Sequence, residues 1–282
     1  MTLPGNGNLP KLNLAAADGA RAEIYLHGGH VTSWIVDGDE RLFLSPKADF
    51  LPGAAIRGGT PVIFPQFAEL GPLPKHGFAR SRAWELLAAE ADWATLRLRE
   101  DAASLALWPH PFVLDYTVRI GGRQLQMTLT ASNPGPGPFS FSAALHTYLR
   151  VDDLRAVSVD GLQGLRFSNS ANGGKESIQN EALLTFPGEI DRIYFHAAAP
   201  VQLQVMMIEQ SGFTDVVAWN PGSEKCATLK DMQPDGYLQF VCIEAAAIEP
   251  PVTLQPGESW TGTQRIIVKA DPTSKGAVNG NG

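Results

Sequence analysis

Glu244 stands inside an apolar run, Gly236-Tyr237-Leu238-Gln239-Phe240-Val241-Cys242-Ile243-Glu244-Ala245-Ala246. The run is rich in β-favouring residues and reads as a buried strand. A carboxylate in such a strand is expensive unless it is paired or used. Desolvation there would raise its pKa, which suits a base working near neutrality. Far earlier in the chain, Ala144-Leu145-His146-Thr147-Tyr148-Leu149 places an imidazole in a second strand pattern. One carboxylate and one imidazole on rigid strands suffice for general acid–base chemistry. Each also has an ordinary alternative: a hydrogen-bonded structural histidine for His146, a buried ion pair for Glu244.

Further candidates cluster in residues 51–82, where Pro and Gly recur. A loop this long inside a compact domain is usually functional. Arg57, ahead of Gly58-Gly59, could fork onto a phosphate while backbone amides approach it, or it could cap loop carbonyls. His76 and Arg80, on either side of Gly77, carry the same two readings. Arg57, Lys75, Arg80 and Arg82 against Glu69 make a cationic excess in an acidic chain. Asp191 sits at a strand entrance, where most acids are solvated. Cys226 and Cys242 lack metal-ligand spacing, and no metal is expected. No nucleophile elbow, phosphate-binding glycine loop or zinc motif occurs.

The elements that must position these residues are strands. Leu125, Met127, Leu129 and Ala131 alternate with polar neighbours, and Phe139 to Arg150, Val201 to Val205, Thr95 to Arg99 and Ala22 to Leu26 repeat the pattern. In the Phe139–Arg150 run, His146 shares its face with Ser142, Ala144, Tyr148 and Arg150. In the Glu244 run, Leu238, Phe240 and Cys242 share the face of the carboxylate. Turn signals such as Asp37-Gly38, Gly121-Gly122 and Pro234-Asp235-Gly236 separate the strands. Many short strands with frequent turns imply an all-β sandwich. A single domain is expected over 11–270, with disordered tails at 1–10 and 271–282, both rich in Gly, Asn and Pro.

The bulk numbers narrow the partners. The chain has 282 residues, 44% hydrophobic and 18% charged, an ordinary globular composition. A net charge of −7 argues against nucleic acid, which needs a basic face. A small anion remains possible, because a few local arginines overcome a distant negative surface. Two cysteines, no signal peptide and no apolar run long enough for a membrane span point to a reducing, cytoplasmic setting.

Taken in order, several segments resemble the aldose 1-epimerase superfamily, most closely its hexose-6-phosphate mutarotase branch (glucose-6-phosphate 1-epimerases). They are Leu26-His27-Gly28-Gly29-His30-Val31-Thr32-Ser33-Trp34, Arg57-Gly58-Gly59-Thr60-Pro61-Val62-Ile63-Phe64-Pro65, His76-Gly77-Phe78-Ala79-Arg80 and Leu145-His146-Thr147-Tyr148-Leu149. Phe186-Pro187-Gly188-Glu189-Ile190-Asp191-Arg192-Ile193-Tyr194, Val217-Ala218-Trp219-Asn220-Pro221-Gly222 and the stretch from Asp231 to Ala245 continue the series. The resemblance implies a galactose-mutarotase-like β-sandwich with a sugar cleft on one sheet face. It implies interconversion of the anomers of a hexose 6-phosphate by a monomer without cofactor. It aligns His146 with the general acid, Glu244 with the general base, and His76 with a second histidine at the sugar. Asp191 aligns with a hydroxyl-binding acid, Arg57 with a substrate-binding arginine, and Arg80 with the phosphate contacts. Gln66-Phe67-Ala68-Glu69-Leu70-Gly71 falls in a variable part of the loop. As an acid, His146 must be protonated, so a neighbouring charge or hydrogen bond should hold its pKa up. Rival readings are an epimerase of unphosphorylated aldoses, a carbohydrate-binding module on the same fold, and a glycosidase using Asp191 and Glu244.

Overall fold

The computed structural model describes residues 1–270, and the strand patterns resolve into three antiparallel sheets. The first, of five strands, runs from Leu3 to Glu40. Two eight-stranded sheets form the sandwich. The back sheet is ordered 159–160, 201–203, 206–211, 259–268, 124–132, 113–121, 93–99, 85–89. The front sheet is ordered 175–178, 166–169, 190–194, 215–220, 240–254, 139–145, 62–63, with 148–150 also pairing the long strand Phe240–Leu254. Among the described residues only two short α-helices occur, Ala102–Leu107 and Gly222–Thr228.

Alternation decides which side chains fill the sandwich. Leu114, Tyr116, Val118 and Ile120 of the back sheet meet Val241, Ile243, Ala245 and Ala247 of the front sheet in one core. The other face of the front sheet is also apolar and buried: Tyr148, Val217, Phe240, Cys242, Ala246 and Ile248 form a second cluster with Phe43, Ile63 and Phe67. A sheet face turned away from the core and still covered by loops is a place to build a site.

Several boundaries differ from the sequence reading. The Glu244 strand starts at Phe240, because Gly236–Gln239 curls into a 3-10 turn before it. The His146 segment is two strands, Phe139–Leu145 and Tyr148–Arg150, with His146 and Thr147 at the break. Val201–Leu203 ends at a hairpin turn, with Gln204 in the left-handed region. Residues 1–10 are not the free tail expected. Leu3–Pro4 pairs with Pro10–Lys11, Leu9 is buried with Tyr25 and Ile56, and Asn6 donates its backbone N–H to the Tyr25 hydroxyl at 3.0 Å. Sparse apolar anchors in a Gly/Asn-rich segment suffice once a sheet edge is there to receive them. The expectation for 271–282 falls outside the described residues.

Candidate active site

Strand register sets the floor of the site. On the front sheet, Asp191 pairs with Trp219, Trp219 with Cys242, and Cys242 with Tyr148, giving one row of side chains. The next row holds Ile193, Val217 and Glu244. Leu145 pairs with Ala245 and Tyr148 with Cys242, so the same register brings His146 opposite Glu244. Their side chains meet: His146 Nε2 lies 3.3 Å from Glu244 Oε1, and both residues are buried. The histidine ring stacks on Tyr148 with centroids 4.9 Å apart and meets Trp219 and His76 edge-on at 5.7 and 5.6 Å. Three aromatic neighbours fix its orientation.

Loops from the 51–82 segment wall the cleft. Arg57 Nε donates to Asp231 Oδ2 at 3.0 Å and Nη1 to the Tyr148 hydroxyl at 3.1 Å. His30 fixes the loop from behind, with Nε2 2.7 Å from the Gly58 carbonyl oxygen. Packing explains the Gly58-Gly59 pair, and the Gly59 amide is not held open for an anion. Gly59 adopts φ +60°, any side chain there would strike the Val31 carbonyl, and its N–H is spent on the Phe43 carbonyl at 2.7 Å. His76 closes the next loop: its Nδ1 accepts the Ala68 backbone N–H at 3.2 Å, and the His76 backbone N–H donates to the Ala68 carbonyl at 2.9 Å. The neutral ring therefore carries its proton on Nε2. Arg80 donates to the Lys75 carbonyl at 2.9 Å, and among the described residues no carboxylate pairs with it.

All six residues singled out in the sequence, Arg57, His76, Arg80, His146, Asp191 and Glu244, line this one cleft of about 740 Å³. That volume lies within the usual range for small-ligand pockets. Burial, reinforced by Asp191, pushes the Glu244 carboxyl well above the usual range. Burial also raises Asp191, against the pull of Lys225. His146 is displaced the opposite way to the expectation of a supported imidazolium. Burial first, then the Arg80 and Arg57 guanidiniums, hold its pKa well below the ordinary value. Burial, His146 and Arg80 depress His76 as well. The cations that the sequence offered as anion ligands act on the histidines too.

The aldose 1-epimerase family model matches residues 10–266. The chain belongs to the aldose 1-epimerase family. A relative from Cenchrus ciliaris, provisionally named a glucose-6-phosphate 1-epimerase, is 36% identical over 94% of this chain and 86% of its own length. A relative from Escherichia coli K12 with the same provisional name is 35% identical over 84% of each chain. A crystal structure from Salmonella typhimurium, provisionally assigned as a mutarotase, superposes with a TM-score of 0.87 at 31% identity, covering 95% of this chain and 92% of that one. The all-β sandwich is thus the mutarotase fold, and the family makes the chain an epimerase, an isomerase.

Within that cleft, four further residues were not singled out as site candidates in the sequence. Trp219 forms an apolar wall of the cleft beside His146. Asp231 and Tyr148 anchor Arg57 from distant parts of the chain. Lys75 lines the cleft as a third cation. Spacing also concealed a possible ligand set: donor atoms of His146, Cys242 and Glu244 all lie within 4.8 Å of one another. A thiol, an imidazole and a carboxylate suit a zinc-like ion by donor type. The charge environment opposes it, since the guanidiniums that disfavour an imidazolium here also repel a divalent cation.

Proposed function

We propose that this chain interconverts the α and β anomers of a hexose 6-phosphate, glucose 6-phosphate foremost, by general acid–base catalysis. The facing of His146 and Glu244 at 3.3 Å in the cleft floor carries the reading. The cationic wall of Arg57, Lys75 and Arg80 supports the phosphate, as do the names of the relatives.

Glu244, as carboxylate, removes the proton from the anomeric hydroxyl. The bond between C1 and the ring oxygen breaks with its electron pair going to oxygen, and the His146 imidazolium protonates that oxygen. C1 becomes an aldehyde, C1–C2 rotates, and closure on the other face returns each proton. The pair ends as it began. No electron is transferred and no carbanion forms, so the proposed chemistry needs neither cofactor nor metal. Burial makes two charges costly, so the pair carries one proton at neutral pH and reacts through its His-protonated, Glu-ionised form. Asp191 accepts from sugar hydroxyls, His76 donates from Nε2, Trp219 covers an apolar face of the ring, and Arg57 binds the substrate. Arg80, with Lys75, takes the phosphate. We take the protein to act as a monomer, and the free thiols of Cys226 and Cys242 are in keeping with a cytoplasmic setting.

The test is anomer exchange followed by NMR on glucose 6-phosphate and on glucose. Glu244→Gln and His146→Asn should each slow exchange at least ~100-fold with the fold intact. Near-wild-type exchange in either folded variant removes the acid–base assignment. A wild-type preference for free glucose replaces the phosphate reading with a general aldose epimerase. No acceleration of either sugar leaves a carbohydrate-binding protein.

A further inference from the structure

Gln264 interrupts the pattern of its strand. Ser259–Val268 turns Ile266 and Val268 into the sandwich core, and Gln264 points the same way with no solvent exposure. A buried amide in that position is costly unless its hydrogen bonds are met. Gln264 Oε1 accepts from the Thr147 hydroxyl at 2.6 Å, and Nε2 donates to the Ile243 carbonyl at 2.9 Å. Thr147 follows His146 and Ile243 precedes Glu244. A side chain of the back sheet thus grips the front sheet at the two residues beside the acid–base pair.

The ladder explains why a grip is needed there. The register on both sides of the break makes Thr147 and Ile243 direct partners. Val151, further along the same register, donates to Gln239 across the ladder, which puts Thr147 and Ile243 among the pairs that exchange both hydrogen bonds. Only one is made: Ile243 N–H donates to the Thr147 carbonyl at 3.2 Å. The Thr147 N–H turns back to the Leu145 carbonyl at 3.0 Å, and His146 N–H goes to Pro61 at 3.0 Å. The Ile243 carbonyl is left without its ladder donor, and the Gln264 amide takes that place. Thr60, three residues after Arg57, donates to the Thr147 hydroxyl at 3.3 Å and extends the network to the arginine loop.

We propose that Gln264 is a positioning residue that holds open the strand break at His146–Thr147 and thereby sets the approach of His146 to Glu244. The inference rests on the acid–base reading of that pair. Without the amide donor, the chain regains most by turning the Thr147 N–H back to Ile243. That flattens the break and rotates His146 away from Glu244. A displacement of about 1 Å at a reacting group costs up to roughly 100-fold in rate.

Gln264→Met keeps the volume and removes both hydrogen bonds. On glucose 6-phosphate its kcat should fall ~10- to 100-fold with KM within ~3-fold, because the side chains of Arg57, Arg80 and Asp191 make no hydrogen bond to the network. Gln264→Glu keeps the acceptor for Thr147 and donates to Ile243 only while its carboxyl is protonated. Taken as a ratio to wild type at the same pH, its kcat should approach one near pH 6 and fall to the Gln264→Met ratio near pH 9. A folded Gln264→Met with kcat within ~3-fold of wild type overturns the proposal, as does a loss confined to KM. If Gln264→Met does not fold, Gln264→Glu decides: wild-type kcat at pH 9 overturns it. Glu244→Gln is measured alongside. Should Glu244→Gln retain wild-type kcat, the acid–base reading falls and this inference with it. An inactive Glu244→Gln beside an active Gln264→Met defeats this inference alone.

Discussion

Arg80→Ala separates phosphate recognition from chemistry. Arg80 is half-buried, and its one recorded hydrogen bond goes to the Lys75 carbonyl at 2.9 Å. Burial lowers its pKa, which means that its charge is under-solvated in the empty cleft. A phosphate arriving there meets a cation whose desolvation has already been incurred. One charge-assisted hydrogen bond contributes roughly 1.5–3 kcal/mol. At about 1.4 kcal/mol per decade, kcat/KM for glucose 6-phosphate should fall ~10- to 150-fold. Glucose never makes the contact. A smaller effect runs the other way: Arg80 opposes protonation of His146, so its removal eases the acid for both substrates. Glucose turnover should therefore stay level or rise by a small factor.

The assay is kcat/KM for both sugars, by NMR exchange, in wild type and Arg80→Ala. Equal losses on both would show that Arg80 supports the sugar site and not the phosphate. An unchanged preference for glucose 6-phosphate would move phosphate recognition to other residues. Arg57→Ala should behave differently, because it strips Asp231 and the Tyr148 hydroxyl of their partner and should impair both substrates.

Three further outcomes are expected. The kcat/KM profile should fall on the acid side as the His146–Glu244 pair takes a second proton, and on the alkaline side as it loses its last. Arg57 and Arg80 promote that last loss, and a bound phosphate dianion offsets them. The alkaline limb of kcat should therefore lie at higher pH than that of kcat/KM, and coincident limbs would put the phosphate away from the pair. Exhaustive chelation should leave the exchange rate unchanged, whereas loss restored by a divalent ion would make His146, Cys242 and Glu244 a functional metal site. Asp215, fully buried, accepts the backbone N–H groups of Ile248, Glu249 and His196 at 2.8, 3.0 and 3.3 Å. Asp215→Ala should cost about 3 kcal/mol and lower Tm by ~6–12 °C in calorimetry, and an unshifted Tm would refute that role.

Period-two alternation made the faces legible. It put Ala144, His146 and Tyr148 on one side of their strands and Phe240, Cys242 and Glu244 on one side of theirs, and these sides are the cleft. Alternation carries no register between distant strands, so the opposition of His146 to Glu244 could not be read. Nor could the partnership of Arg57 with Asp231, which joins a loop to a turn across most of the chain. The break at His146–Thr147 was hidden because the residues alternate correctly through it. Its cause is an amide on another sheet. The pKa of His146 was misjudged for a related reason: its full burial could not be read from one strand, and the arginines were counted as ligands for the substrate and not as neighbours of the acid.

The charges of the cleft explain how a substrate phosphate can influence a proton at C1. Arg57 is matched by Asp231, Lys75 has Glu69 at 3.9 Å, and Lys225 has Glu189 at 2.5 Å and Asp191 at 3.9 Å. Of the four cations that line the cleft, Arg80 is the one without a carboxylate partner among the described residues, beside a pair that carries one proton in the proposed mechanism. Before a phosphate binds, burial first and then the Arg80 and Arg57 guanidiniums disfavour the imidazolium of His146. A phosphate dianion held by Arg80 offsets the guanidinium part of that effect, and the proton on the pair then shifts toward His146, the form that donates to the ring oxygen in the proposed mechanism. Binding and acid strength are coupled through the same guanidinium. On this account the phosphate contributes to kcat as well as to KM, and an unphosphorylated hexose in the same cleft meets a weaker population of the working acid.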